Sequence, residues 1–113
     1  MVKNILRTLV ALAILTSCPL WAAENSEMII DVRTKSEWDA GHLETSVHLP
    51  LDVFEANIAA LATNKTQVVY LYCRSGNRSG QALQIMQRLG YSNAVNAGGI
   101  GDASQRLKTA IID

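Results

Sequence analysis

The sequence predicts an α/β domain, a small and mainly parallel sheet flanked by helices on both faces. Three observations carry that reading. Short β-branched, apolar runs alternate with amphipathic stretches along the whole of residues 28–112. The longest such run, "QVVYLY" (67–72), is continuous in apolar residues, as a strand covered on both faces has to be. The segments between runs and stretches are short and marked by glycine or proline, so nothing separates a second domain.

Each element follows in order. "MIIDV" (28–32) reads as a buried strand. "TKSEWDAG" (34–41) reads as one or two helical turns, with Thr34 as cap, Glu37 three residues later as in a capping box, and Gly41 as the stop. "SVHLP" (46–50) is a short strand halted by Pro50. From Asp52, the expected N-cap, Val53, Phe54, Ile58 and Leu61 recur at helical spacing. After the central strand, "SGQALQIMQRLG" (79–90) is an amphipathic helix, with Ala82, Leu83, Ile85, Met86 and Leu89 expected inward and Gly90 as terminator. "NAVNAGG" (93–99) gives one more strand and a glycine turn, and "DASQRLKTAII" (102–112) a closing helix.

The first 22 residues are set apart from this domain, which is taken as residues 23–113. "MVKNILRTLVALAILTSCPLWAA" places Lys3 and Arg7 before the uncharged run Leu9 to Leu15, and small residues follow up to Ala22 and Ala23. That order is a secretory signal peptide, with cleavage expected after Ala22. The apolar run is well short of the roughly 20 residues a membrane span needs. "LTSC" (15–18) also resembles a lipobox, so lipid anchoring through Cys18 stands as the alternative to soluble periplasmic export. On either path Cys18 is removed or acylated, and Cys73 is left as the one thiol in an oxidising compartment.

Charge narrows the partners. The 113-residue chain has ten basic and ten acidic residues, and losing Lys3 and Arg7 leaves a formal charge of −2. There is no basic stripe for nucleic acid and no polybasic run for a membrane surface. A small molecule or another protein's thiol is the expected partner, and the chain is expected to be a monomer. The two histidines, His42 in "AGHLE" and His48 in "SVHLP", lie in no metal-ligand spacing, so no metal is expected. His42 is weighed as a catalytic group against a structural turn residue, with the structural role favoured. His48 reads as a strand residue with a satisfied hydrogen bond.

Chemistry concentrates in "CRSGNRSG" (73–80), at the carboxyl end of the central strand, where ligands of open α/β sheets bind. A free cysteine is commonly just a small buried apolar residue. Here two glycines and two arginines surround it. Gly76 and Gly80 permit a tight turn that gathers backbone N–H groups, the following helix adds its free N–H groups and dipole, and Arg74 and Arg78 add fixed charge. Such surroundings lower a thiol pKa from ~8.5 to about 3.5–7.5, so Cys73 is read as an activated nucleophile that needs no separate general base.

The loop, together with "IIDVR" (29–33), "EWDAGHLETSVHLPL" (37–51) and "NAGG" (96–99), resembles the rhodanese family, in order and over roughly residues 28–102. The layout is similar to that of small exported single-domain members. The resemblance implies thiosulfate sulfurtransfer: Cys73 takes the outer sulfur of an anionic, thiosulfate-like donor as a persulfide and passes it to cyanide or a thiol. No cofactor is implied. Ser75, Gly76, Asn77, Arg78 and Ser79 with Arg74 form the substrate-binding loop, Arg74 meeting the sulfonate end of the donor. Arg78 either faces the substrate or turns inward to pair with Asp31. The Ser75 and Ser79 hydroxyls either assist the thiolate or, for Ser79, cap the helix. Arg33 and Glu37 are expected to form a local ion pair, and Trp38, Tyr70 and Tyr72 to be core or wall residues. Four residues separate Cys73 from Arg78, whereas dual-specificity and arsenate-handling phosphatases on the same fold have five. The tighter loop favours sulfur transfer over phosphate ester hydrolysis. A non-enzymatic persulfide carrier is the competing reading. In "GGIGDAS" this chain departs from the many members that carry a tryptophan after the double glycine.

Overall fold

The computed structural model describes residues 26–113, so the export segment, Cys18 and the cleavage position lie outside the described residues. Four strands form the main sheet: β1 (Met28–Asp31), β3 (Val47–His48), β4 (Val69–Cys73) and β5 (Ala94–Gly99), in the order β3-β1-β4-β5 with every pairing parallel. Parallel neighbours require crossovers, which α2 (Leu51–Leu61) and α3 (Asn77–Arg88) supply. A short α1 (Lys35–Asp39) follows β1, and α4 (Ile100–Leu107) follows β5. A second, two-stranded sheet pairs β2 (His42–Leu43) antiparallel with β6 (Ile111–Ile112).

The continuous apolar run of β4 is explained by cover on both faces. Val69, Leu71 and Cys73 point to one side, where they pack with Phe54 and Ile58 of α2 and Ala82 and Met86 of α3. Tyr72 points to the other side and packs with Leu43, Ala97 and Ala103, with Tyr70 partly buried against them. Cys73 therefore belongs to the α3 side, at the strand's carboxyl end.

The expected helices differ from the observed ones at several ends, the closing helix among them, which starts at Ile100 rather than Asp102. Asp52 is not the cap of α2: Leu51 donates its N–H to Val32 O at 3.0 Å, and the helix starts at Leu51 with Pro50 in the N-cap position. Asp52 lies in the first turn, where its charge still meets the helix dipole. Helix α3 begins at Asn77 rather than near Ser79, because Gly76 takes a left-handed conformation (φ 96°) that lets the chain leave β4 and enter the helix almost at once. The closing helix stops at Leu107, where Lys108 turns left-handed (φ 53°). Ile111 and Ile112 then pair with β2 instead of extending the helix. Of the residues expected inward, Phe54, Ile58, Ala82 and Met86 are fully buried, and Leu61, Leu83 and Ile85 are partly buried against the same core. Val53 and Leu89 are exposed, each at the rim of its helix.

Candidate active site

The carboxyl end of β4, the turn into α3 and the end of β5 converge on one sulfur. Cys73 Sγ accepts the Gly76 N–H at 2.9 Å and lies 3.4 Å from the Ser79 hydroxyl. The side chains of Cys73 and Ser79 are buried, so these bonds act in a low-dielectric setting. Burial pushes the thiol pKa up, but the Ser79 hydroxyl and the amides of Ser79, Ser75 and Gly76 outweigh it. The result is a fall from the ordinary 9.0 to about 7. Near neutral pH the sulfur is thus far more ionised than an ordinary thiol, through hydrogen-bond donors rather than a charged partner.

Glycine is required where β5 meets this loop. A Cβ on Gly99 would stand 2.5 Å from Arg74 O, a contact of backbone on backbone that no rotamer relieves. Cys73 is paired with Gly99, and a register shift between Leu71 and Tyr72 inserts Ala97 so that Gly98 follows Asn96 against the loop. Asn96 fastens the two segments: its Nδ2 donates to Gly76 O at 3.0 Å, and its Oδ1 accepts from Gly98 N at 3.0 Å and from Ser79 Oγ at 2.7 Å.

The two ion pairs are partnered differently from the sequence expectation. Arg33 pairs not with Glu37 but with Asp31, its Nε and Nη2 lying 3.0 and 2.7 Å from the two carboxylate oxygens. Its Nη2 also donates to Gly41 O at 2.6 Å. This pair is buried. Burial lowers the Arg33 pKa, yet the bonds to Asp31 overcome that and hold it above the ordinary value. Asp31 is thereby occupied, and Arg78 does not reach it. Arg78 instead makes a two-pronged bond to Glu37 on α1, at 2.7 and 3.0 Å. Glu37 can take this second partner because its capping-box contacts with Thr34, present as expected, both fall on Oε1 and leave Oε2 open, while Oε1 is shared between Thr34 and Arg78. The Arg78 bonds are the main reason its carboxyl falls to about 2.

The structure brings Cys73, Gly76 and Ser79 together. It places Arg74, Ser75 and Asn77 on the exposed side of the loop, and turns Arg78 toward α1. Beside Arg78 opens a cavity of about 530 Å³ lined by Val32, Arg33, Lys35, Pro50 and Leu51 among others. The histidines are structural in geometry. His42 stacks on Trp38 (centroids 3.6 Å apart), His48 lies 5.0 Å from the same ring, and both bond backbone carbonyls. The roles of Asn96 and Glu37 at the site escaped the sequence reading. "NAGG" and the capping box marked their positions but not their partners.

A parallel α/β domain whose central strand ends in a thiol held by a main-chain amide and a serine hydroxyl has the geometry of a cysteine-dependent group-transfer site. Comparison narrows it. The rhodanese-like domain model matches residues 19–104, and the chain belongs to the rhodanese family, with its α/β fold. It is 37% identical over 94 residues to thiosulfate sulfurtransferase PspE of Escherichia coli strain K12, covering 83% of this chain and 88% of that one. It is 30% identical over 87 residues to the adenylyltransferase and sulfurtransferase uba4 of Ogataea parapolymorpha, spanning 76% of this chain but 22% of that larger protein. Among solved structures, a rhodanese with anions from E. coli superimposes with a TM-score of 0.66 at 35% identity, over 68% of this chain and 91% of that one.

Proposed function

We propose that the protein is a thiosulfate sulfurtransferase working through a Cys73 persulfide. The observation that carries this reading is the sulfur itself, bonded by the Gly76 amide and the Ser79 hydroxyl and ionising near pH 7. The thiolate attacks the outer sulfur of thiosulfate. An Sγ–S bond forms, the donor's S–S bond breaks, and sulfite leaves with the electron pair. Cyanide or a thiolate then attacks the outer sulfur of the persulfide, giving thiocyanate or an acceptor persulfide and returning the Cys73 thiolate. The amides of Ser75, Gly76 and Ser79 face the charge that develops on the sulfur, as an oxyanion hole does. Arg74, exposed at the loop's rim, meets the sulfonate with its planar fork. Arg78 holds the loop in shape through Glu37 rather than touching the donor. Asn77 contributes as the first residue of α3, whose dipole points at the site.

Incubation of the purified protein with thiosulfate should add the mass of one sulfur at Cys73, and Cys73→Ser should gain none. Absence of the adduct with thiosulfate and with other sulfane donors defeats the reading. Turnover with cyanide separates an enzyme from a carrier, which would load and release negligibly. The chain is further proposed to reach the periplasm by its first 22 residues. Among the described residues no helix is long and apolar enough to cross a membrane. A mature N-terminus at Ala23 supports a soluble exported form, and an acylated N-terminus at Cys18 assigns the lipid-anchored one.

A further inference from the structure

Asn96 has no hydrogen bond to the reacting sulfur, yet its side chain makes three hydrogen bonds around it, to Gly76, Gly98 and Ser79. Gly76 O can only accept and Gly98 N–H can only donate, so these partners fix which end of the amide is Nδ2 and which Oδ1. Oδ1 carries no proton, so the 2.7 Å bond to Ser79 must use the hydroxyl proton of Ser79. A serine has one such proton. Cys73 Sγ, 3.4 Å from the same oxygen, needs that proton when it is an anion.

We propose that Asn96 is a positioning residue that competes with the Cys73 sulfur for the single Ser79 hydroxyl proton, so that Cys73, Ser79 and Asn96 form a hydrogen-bond relay with two settings. With a neutral thiol, the S–H donates to Ser79 Oγ and the hydroxyl donates to Asn96. The shorter distance on the Asn96 side corresponds to this setting. When the thiol loses its proton to water, the hydroxyl rotates onto the thiolate. Asn96 Oδ1 then keeps the Gly98 N–H, so no buried acceptor is orphaned by the change. Asn96 thus stabilises the resting thiol and releases the hydroxyl on ionisation. The persulfide, which also carries charge on sulfur, calls on the same proton.

The relay rests on the reading of Cys73 as the reacting thiol, but its test needs no thiosulfate. Alkylation by iodoacetamide, followed against pH by the mass of the peptide that carries Cys73, gives this thiol's ionisation constant with no contribution from Cys18. Six proteins are compared: wild type, Ser79→Ala, Asn96→Ala, Asn96→Asp and the two double variants, each checked for folding by urea unfolding. The other ionisable groups around the loop are Arg74, Arg78, Glu37, Asp31, Arg33, Tyr72 and Asp102. They are unchanged in all six, and the carboxylate that Asn96→Asp adds is present in both members of its pair, so each Ser79→Ala effect is read within one background. Ser79→Ala should lower the ionisation constant about threefold in wild type and about tenfold in the Asn96→Ala background, where the hydroxyl had been wholly available to sulfur. In the Asn96→Asp background the carboxylate holds the hydroxyl more tightly, and the effect should shrink below that in wild type. If Asn96→Ala does not fold, the Asn96→Asp comparison decides alone. An equal effect in all backgrounds, or a smaller one in Asn96→Ala, overturns the relay and leaves Asn96 a brace for Gly76 and Gly98. Coupling of the expected sign in a protein that forms no persulfide would keep the relay and remove the sulfurtransferase reading.

Discussion

A thiol pKa near 7 makes a sharp prediction about pH. Alkylation of Cys73 should rise about tenfold per pH unit on the acid side and level off by about pH 8, whereas a thiol with the ordinary value of 9.0 would keep climbing. Linkage gives the sign for stability. The folded pKa lies below the unfolded one, so the extra stability is fully present above about 9 and is lost as pH falls through about 7. The stability difference between wild type and Cys73→Ser, read by urea unfolding, should therefore shift in favour of wild type between pH 6 and pH 9.5. Gly99 answers a different demand of the same site. Its Cβ would meet Arg74 O at 2.5 Å, and neither strand end can yield without moving the loop. Gly99→Ala should cost about 1–3 kcal/mol in urea unfolding, and should slow alkylation of Cys73 near neutral pH as the amides move off the sulfur.

At the scale of elements, α1 is a five-residue helix whose reach exceeds its length. It is held at its start by the capping box, and it braces α3 across the sequence through Glu37 and Arg78, with Trp38 stacked between His42 and His48. Glu37→Gln isolates the brace, because glutamine still serves a capping box while losing the charge. The pair is partly exposed, so the loss should be about 1 kcal/mol at pH 7 rather than the several expected of a buried pair. The carboxyl titrates at about 2 against an ordinary 4.5. The contribution is thus complete above about 4.5 and fades as pH falls through about 2, where variant and wild type should converge in urea unfolding.

At the scale of the whole domain, the described residues form a sheet with one core on each side, and the α2–α3 side carries the larger share of buried apolar residues. That side also carries Cys73, so packing there and geometry at the site are coupled. Phe54 is fully buried in it. Phe54→Ala should remove about 3–5 kcal/mol, a large part of what a domain of this size has, and denaturant unfolding should show the loss as a lower midpoint.

The sequence by itself determined the alternation of strands and helices, the two-sided cover of β4, the capping box, and the position of Cys73 at the carboxyl end of the central strand. All of these depend on local chemistry or on side-chain period, which a chain carries in its order of residues. It did not determine which charges would meet. Arg33 stood four residues from Glu37 and took Asp31, and Arg78 passed Asp31 by and found Glu37 forty-one positions away. Nor did it show that Ile111 and Ile112 would leave a helical pattern to pair with β2, or that Asn96 would share one proton with the thiol through Ser79. Those outcomes were decided by the tertiary structure, because ion pairs, edge pairing and a shared hydroxyl depend on distances between segments, and such distances are set only once the sheet brings the segments together.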